Sequence, residues 1–286
     1  MEFVLYVLEI VAVWSIMSLA TNLVVGYGGM FSICHAAYFG IGAYIAFIFN
    51  IYVHLHYLIT LPIAMVGTAA IALISLLPLL RLQGFYFAVS TVGLNFVIVD
   101  LLKNLMPTIQ YTDGLFGITI PAWLMLPISR FILIVLATGI VFVGVSLLIN
   151  SPWGRLIEAI RDDKMAVESL GKNPKVHKCI LWTISGGLAG LAGALYGFTL
   201  LYIDPFLFVF AYSSYLLVYI GFGGLASVMG SILGPLILVS FSQLPRFIGL
   251  ESRLIGPLEQ IGYGILLILM MMFRKRGLVG RYEFVE

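Results

Sequence analysis

The polar side chains that interrupt the apolar stretches of this sequence are the first candidates for chemistry. They are mostly serine, threonine and asparagine, and His35 lies among them. Hydroxyl and amide groups can replace the hydration shell of a small polar solute. A histidine in an apolar stretch is either a hydrogen-bonded structural residue or a ligand group. We therefore predict a path for a small neutral or zwitterionic solute, lined by Asn22, Gly26, Gly29, Ser32, His35, Tyr86, Thr91 and Asn95.

Patterns for catalysis and metal binding are missing from the sequence. It contains no Gly-x-Ser-x-Gly, no His-Glu-x-x-His and no inward pair of acids. His54 and His56 are two residues apart, so they would point to different faces of a helix. Cys34 and Cys179 show neither disulfide nor metal-type spacing. We predict no catalytic residue, no metal site and no cofactor within this chain.

Acidic residues within the apolar stretches are few, and an acid at mid-membrane costs about 2.5–3.5 kcal/mol on insertion scales. Asp100 precedes Lys103 by three residues, which predicts an ion pair at helical spacing near a helix end. Glu9 is two turns into the first apolar stretch, and we expect it to reach the surface. The sequence has no relay of acids, which argues against an ion-coupled secondary carrier.

The elements that position these side chains must lie in a bilayer. Only 10% of the 286 residues are charged, 62% are hydrophobic and the mean hydropathy is +1.10, whereas an average soluble domain is about 25% charged. The net charge of +2 is too balanced for a nucleic-acid binder. The composition predicts an all-α integral membrane protein, a single polytopic helical bundle over residues 1–286 with helices broken at glycines.

Runs of about 20 apolar residues mark helices that can cross a hydrocarbon core of roughly 30 Å. We predict eight to ten such helices. The first has no basic n-region, so it is expected to be retained rather than cleaved as a signal peptide. The approximate spans are 4–26, 30–53, 57–80, 84–103, 128–149, 179–202, 208–222, 227–244 and 257–273.

Basic residues beside the spans predict the orientation, because cytoplasmic loops are enriched in Lys and Arg. Most of them lie in the polar stretch 151–178 and in the tail after Phe273, which are four spans apart. We therefore place loop 151–178 and the C-terminus in the cytoplasm, and with nine spans the N-terminus is outside. The inside residues are Arg81, Arg155, Arg161, Lys164, Lys172, Lys175, Lys178, Arg274, Lys275, Arg276 and Arg281, and the outside ones are Lys103, Arg130, Arg246 and Arg253.

Glycines are concentrated where apolar runs are interrupted. The segment 26–32 (GYGGMFS) reappears as 221–227 (GFGGLAS), at the edge of a run in both cases. Paired glycine-broken segments are typical of transporters with internal repeats, but a short match in a glycine-rich chain is also compatible with chance. After Ser185, small residues recur every four positions, which indicates close helix packing within one subunit or, alternatively, between subunits.

Loop 151–178 is more charged than a plain connection requires. Residues 154–171 are predicted to form short helices ended by glycine, and the segment is either a solvated linker or an element that docks into a groove of a partner. The ATP-binding P-loop motif is absent, because Gly171-Lys172 lacks the upstream glycine and is followed by Asn173. The partly apolar face of the loop is formed by Leu156, Ile160, Ala166, Val167 and Leu170.

Several blocks of the sequence form a recognisable pattern that covers nearly the whole chain. They are 22–29 running into 32–44, then 81–93, 112–118, the loop 154–171, the small-residue run after Ser185, and 223–227 before Gly230 and Gly234. Together they resemble the permease subunits of branched-chain amino acid ABC importers of the high-affinity leucine/isoleucine/valine type. The block 81–93 looks like one of the two permease types in such systems.

This resemblance implies a set of partners. They are a second related permease subunit in a heterodimer, two cytoplasmic ATPase subunits that use ATP, and an extracellular or periplasmic solute-binding protein. The chain itself would lie among membrane lipid in a prokaryotic cell (inner) membrane and would bind no nucleic acid. The loop residues that would couple the permease to the ATPases are Glu158, Arg161, Asp162, Asp163, Glu168 and Gly171.

The function implied is inward transport of branched-chain or other small amino acids by alternating access, in which ATP-driven movement of the loop switches the path from outside to inside. Similar permeases carry urea or short-chain amides, so these solutes remain alternatives. An ion-coupled secondary carrier and a structural membrane subunit are the rival classes. Co-purification with an ATPase would separate the three classes.

Overall fold

The chain folds as a bundle of α-helices. The computed structural model describes residues 2–82, 84–108, 115–116, 118, 120–247, 252–274 and 277–280. Across those residues, the β-type pairing is limited to one isolated bridge between Leu115 and Ile203. The helices are α1 (Glu2–Asn22), α2 (His35–Tyr52), α3 (Tyr57–Leu76), α4 (Gly84–Thr108), α5 (Pro127–Asn150), α6 (Pro152–Asp162), α7 (Lys164–Ser169), α8 (Pro174–Leu200), α9 (Phe210–Gly223), α10 (Gly230–Phe247) and α11 (Ser252–Phe273).

The apolar helices agree with the predicted spans. Within the described residues, six helical stretches are long and apolar enough to cross a membrane. Shorter apolar stretches follow at Phe210–Gly223, Gly230–Gln243 and Gly256–Leu269. The prediction of an all-α polytopic membrane protein is confirmed, and α6 and α7 are the short helices expected in loop 151–178.

Two predicted spans begin later than expected. The span placed at 30–53 starts as a helix only at His35, and the one placed at 227–244 starts at Gly230. The reason is the backbone at Gly29 (φ +63°) and Gly224 (φ +119°). A positive φ is incompatible with a right-handed helix and is readily adopted by glycine alone. Each glycine therefore ends one helix and delays the next.

The small-residue run of α8 packs against α2 and α3 of the same subunit. A methyl group at Gly186 would clash with Ala72 of α3, and one at Gly193 would clash with the carbonyl of Phe39 in α2. Glycine at these positions lets the helix backbones approach closely. The prediction of packing within the subunit is confirmed, and α1, α2 and α8 form the most buried part of the bundle.

The two membrane acids have different environments. Asp100 and Lys103 form the predicted pair, with 3.6 Å between nitrogen and oxygen. The expectation that Glu9 reaches the surface is wrong, because its side chain is fully buried and accepts hydrogen bonds from Arg130 Nε at 3.0 and 3.1 Å. A buried carboxylate requires such a partner, and this pair fastens α1 to α5.

Candidate functional site

The first glycine break, residues 23–34, turns the chain between α1 and α2. After Asn22, the helix widens into one π-turn over Leu23–Tyr27, and π-turns in helices are frequent at functional sites. The turn closes when Gly28 N–H donates to Leu23 O and Met30 N–H donates to Val24 O, both at 3.0 Å. The chain then remains non-helical up to His35.

The second glycine break, residues 224–229, separates α9 from α10. The hydroxyl of Ser227 accepts a hydrogen bond from Gly230 N–H at 3.1 Å and so caps the start of α10. Gly29 and Gly224, which correspond in the two sequence copies, both have positive φ. The two copies thus share this local backbone feature, and a full internal repeat stays a prediction.

Asn22 joins the two breaks. Its amide group donates to Ser227 O at 3.0 Å and to Ser231 Oγ at 2.7 Å, and its carbonyl oxygen accepts from Ala226 N–H at 3.1 Å. The residue is 1% exposed. The amide N–H groups and the side-chain oxygen of Asn22, a predicted path residue, therefore all have hydrogen-bond partners within the protein. These bonds hold the end of α1 against the start of α10.

His35 is a hydrogen-bonded residue at the start of α2. Its Nε2 lies 2.8 Å from the hydroxyl of Ser185, and that hydroxyl donates to Ala20 O at 2.6 Å. Because the serine proton is used for the carbonyl, Nε2 must carry the proton that joins His35 to Ser185. The hydroxyl of Ser32 lies 3.5 Å from Nδ1. This geometry favours the structural interpretation of His35 over the ligand one.

Two further helices, α4 and α9, bring polar groups to the same place. Thr91 Oγ1 of α4 accepts from Ile33 N–H at 3.1 Å, and Ser213 Oγ of α9 accepts from Ala36 N–H at 3.1 Å. Asn95 of α4 donates to Ser213 at 3.3 Å. Its buried Oδ1 has no hydrogen-bond partner among the described residues. Ser32, Thr91, Asn95 and Ser213 are named the polar cluster below.

Tyr86 does not belong to the polar cluster. Its side chain is 74% exposed, whereas Thr91 and Asn95 are fully buried on another face of α4. Residues four apart share a helix face, but residues five apart do not. The structure thus brings Ser32, His35, Thr91 and Asn95 to one region and places Tyr86 away from it.

Loop 151–178 folds as the predicted pair of short helices. Ser151 caps α6 and Asp163 caps α7, each by accepting backbone N–H bonds, and Gly171 ends the unit with a φ of +76°. The predicted apolar face is divided. Ile160 and Val167 are buried, and Leu156 is half-buried, whereas Ala166 and Leu170 are exposed together with Met165.

Arg161 connects this loop to the first break. Its Nη1 donates to Gly26 O at 2.9 Å, and its Nε donates to Asp162 at 2.8 Å. Gly29 lies so close that an added methyl would be 2.6 Å from Arg161 Cγ. The arginine side chain is only 10% exposed. Of the predicted path residues, Gly26 and Gly29 are thus in direct contact with a predicted coupling residue.

The other predicted coupling residues lie on the outer side of the loop. Asp162 is 58% exposed, and Glu168, 48% exposed, is 3.7 Å from Lys164. Glu158 is half-buried, and Asp163 and Gly171 are exposed. Asp162 and Glu168 form ion pairs and Asp163 forms a cap, but these three side chains remain exposed, where a partner could reach them.

The end of the described chain contacts the second break. Leu278 N–H donates to Phe222 O and Val279 N–H donates to Gly223 O, both at 3.0 Å. Gly224 packs against the backbone of Gly280. Of the predicted inside cations, Lys275, Arg276 and Arg281 lie outside the described residues, as do Gln83, 112–114 and Gly117 of the recognisable sequence blocks.

Comparisons with known proteins decide the family. The family model "Branched-chain amino acid transport system / permease component" matches residues 3–273. The high-affinity branched-chain amino acid transport system permease protein LivM of Escherichia coli is 30% identical over 93% of this chain and 68% of its own length. The chain belongs to this permease family.

Further relatives agree with this assignment. The LivM protein of Salmonella typhimurium is also 30% identical over 93% of this permease. The branched-chain amino acid permease protein BraD of Pseudomonas aeruginosa is 24% identical over 96% of it and 94% of its own length. No solved structure matches the permease at a significant level.

Two residues of this permease site were missed from the sequence. Ser185 was interpreted only as the start of a small-residue packing run, and Ser213 was not singled out although it lies in the apolar run 208–222. Both are buried and both hold the start of α2. Within the described residues, no three His, Cys, Asp or Glu side chains are grouped to hold a metal ion.

Proposed function

We propose that this permease carries branched-chain or other small amino acids inward as one membrane subunit of an importer powered by separate ATPase subunits. The observation that carries the proposal is the contact between Arg161 of loop 151–178 and Gly26 of the first break. It gives an external motor a direct mechanical connection to the membrane-embedded helices. The relatives named above are permease proteins for branched-chain amino acids, which supports the solute class.

The proposed orientation places this end of the bundle in the cytoplasm of a bacterial cell. Arg161 contacts the first break, residues 277–280 contact the second, and Asn22 joins the two breaks. The loop and the C-terminal segment therefore lie at the same end, as an even number of spans between them requires. The enrichment of basic residues in both segments supports the cytoplasmic side.

The outer side of α6 and α7 is proposed to dock on an ATPase subunit. Met165 and Leu170 are each 79% exposed, and they are flanked by Asp162, Asp163 and Glu168. Exposed apolar side chains with a charged rim are typical of protein interfaces. Met165, Ala166 and Leu170 are named the docking face. ATP would bind to the partner, and the chain itself would hold no cofactor.

Movement of the docking face would reach the solute path through Arg161. When the ATPases close, α6 and α7 shift, and Arg161 pulls on the π-turn and on Gly29. The non-helical residues after Gly29 lead directly to Ser32 and to the start of α2. The polar cluster would then alternate between outward and inward access. Linkage requires that solute delivery from outside also favours the ATPase-closed state.

The polar cluster is proposed to contact the solute. It contains hydroxyl and amide groups and no charged side chain, which suits a zwitterion better than an ion. The unpartnered Oδ1 of Asn95 is an acceptor for the solute ammonium group. The start of α2 offers a positive helix end for the solute carboxylate. A second permease subunit and an external solute-binding protein complete the proposed assembly.

The docking proposal is tested by assembly of the complex with its ATPase. We expect that M165R and L170R, in the docking face, abolish co-purification, because each places a charge in an apolar contact. V53R is the matched control, since Val53 is 54% exposed at the opposite end of α2. E158A should weaken solute-stimulated ATPase activity. Assembly of M165R and L170R at the level of V53R would contradict the docking assignment.

The solute proposal is tested on α4. N95A should lower the uptake of leucine by raising its KM, while N104A, at an exposed asparagine of the same helix, should leave uptake unchanged. Competition with valine, urea and acetamide identifies the solute class. Unchanged leucine uptake by N95A, or uptake of the amides alone, would overturn the assignment of the site or of the solute, respectively.

A further inference from the structure

A cavity at the loop end of the bundle lies outside the proposed solute path. Its volume is about 310 Å³, at the lower end of the roughly 300–1,000 Å³ typical of small-molecule sites. It touches the first glycine break at Gly29–Phe31. The lining combines apolar side chains of α3, of the short turn after it and of α4 with three lysines, chiefly Leu76, Leu79, Phe87, Lys164, Lys175 and Lys178.

The charges in this cavity are unbalanced. Lys164 has one carboxylate partner, Glu168 at 3.7 Å. Lys164 and Lys178 repel each other electrostatically. Lys175 and Lys178 form no salt bridge within the described residues. An anion between the three ammonium groups would relieve this repulsion, and a phosphate oxygen is a suitable acceptor for lysine.

The surroundings of the cavity favour a lipid over a soluble anion. Leu77 and Phe85, which directly follow the lining residues Leu76 and Gly84 in the chain, are 56% and 78% exposed. Exposed apolar side chains next to lysines mark the level where a membrane-spanning helix enters the headgroup region. Basic pockets between membrane helices on the cytoplasmic side suit anionic headgroups. A soluble phosphate would use the lysines but not the leucine and phenylalanine wall.

We propose that this cavity binds the phosphate headgroup of an anionic phospholipid from the cytoplasmic leaflet, with the acyl chains lying against Leu77 and Phe85. The inference rests on the orientation proposed above. Since the lysines belong to α7 and α8 and the cavity touches Gly29, the bound lipid would hold the loop against the first break, beside Arg161. The lipid is thus placed to stabilise the coupling contact.

The experiment measures lipid retention by the purified full importer in nanodiscs of equimolar phosphatidylglycerol and phosphatidylcholine, using native mass spectrometry. The wild type should retain phosphatidylglycerol selectively. K175Q/K178Q should bind it roughly 30-fold more weakly. This factor corresponds to a loss of about 1 kcal/mol of lysine–headgroup attraction for each of the two side chains. R155Q/K172Q removes two exposed charges of the same loop and should change retention less than twofold.

A second measurement uses the wild type alone. Acetylation of Lys175 and Lys178 should be slower in phosphatidylglycerol nanodiscs than in phosphatidylcholine nanodiscs, while acetylation of Lys172 should be equal in both. Equal retention by K175Q/K178Q, equal acetylation rates, or displacement of the lipid by inorganic phosphate would overturn the proposal. Because these readouts need no transport, they separate failure of this proposal from failure of the proposed function.

Discussion

The two glycine breaks share a glycine with positive φ, Gly29 and Gly224, but are held in different ways. At the first, Gly26 accepts one hydrogen bond from the side chain of Arg161, which belongs to loop 151–178. At the second, residues 222 and 223, the end of α9 directly before the break, accept two backbone hydrogen bonds from residues 278 and 279. A single charged side-chain contact contributes about 1.5–3 kcal/mol and can be remade elsewhere. We propose that the first break, which is held by a side chain of the loop, is the adjustable one, and that the second, which is held through its backbone, is the fixed one.

On this proposal, the first break moves during transport, while the second keeps its place in the bundle. Under the proposed function, a partner that moved α6 and α7 would act directly on the first break, while Asn22 joins that break to the second. Solute access can change near the start of α2 only if the opposing surface remains in place. The predictions below test this asymmetry, beginning with the largest expected effect on stability.

The largest effect is expected at the fixed break for G224A. The φ of +119° is strained for any residue with a Cβ, and the added methyl would meet the backbone of Gly280. Strain and overpacking together should cost about 4 kcal/mol. The apparent melting temperature of the purified complex measures this loss. The control is G221A, because Gly221 has open space around it. Equal melting temperatures of G224A and G221A would contradict the assignment of the second break as fixed.

The next effect is expected for N22A, which removes the connection between the breaks. Three hydrogen bonds are lost, and Ser231 and Ala226 N–H are left buried without that partner. The expected loss of stability is about 3 kcal/mol. N150A serves as control, because Asn150 is exposed and, within the described part of the chain, its side chain donates a hydrogen bond to Ser146 O of its own helix and to no other helix. If N22A melted like N150A, the two breaks would not be mechanically joined.

A smaller effect is expected for G29A at the adjustable break. Both Gly29 and Gly84 have positive φ, but an added methyl meets Arg161 only at Gly29. The loss of stability in G84A, about 1–2 kcal/mol, therefore measures the backbone strain by itself. G29A should lose about 1 kcal/mol more of stability, because the side chain of Arg161 must also shift. Stimulated ATPase activity should fall in G29A and persist in G84A. The reverse pattern would remove Arg161 from the coupling route.

The smallest effect is expected for V279P, which deletes the N–H that donates to Gly223. One backbone hydrogen bond contributes about 1 kcal/mol. The melting temperature of the complex should therefore decrease slightly, while the number of ATP molecules hydrolysed per solute transported is unchanged. V279A keeps the N–H and should behave like wild type, since the side chain is 43% exposed. A coupling defect in V279P would show that the second break also transmits motion.

Much of the fold could be predicted from local features of the sequence, namely the length of apolar runs and the positions of glycines. Apolar run length predicted the membrane helices, and the glycines at 28–29 and 223–224 predicted where helices break, because positive φ is a property of single residues. Gly171 likewise predicted the end of the short helices in the loop. The early start assigned to the second span shows the limit, since hydropathy detects apolar residues and not backbone direction.

The candidate site was only partly predictable, since long-range packing decides it. Nothing local distinguishes the inward Arg161 from the exposed Arg155, and Asn22 reaches residues more than 200 positions away. Glu9 was misplaced for the same reason, as its partner Arg130 lies on another helix. Side chains that bridge helices become visible only once the helices are assembled.

The most direct measurement is the amount of leucine transported per ATP hydrolysed by the reconstituted importer carrying R161A. Loss of the contact to Gly26 should lower this ratio about tenfold, within the 1–3 kcal/mol typical of coupling between sites, while the complex still assembles and hydrolyses ATP. R155A, at an exposed arginine of the same helix, should keep the wild-type ratio. A wild-type ratio in R161A would contradict the proposal that loop 151–178 drives the first break through Arg161.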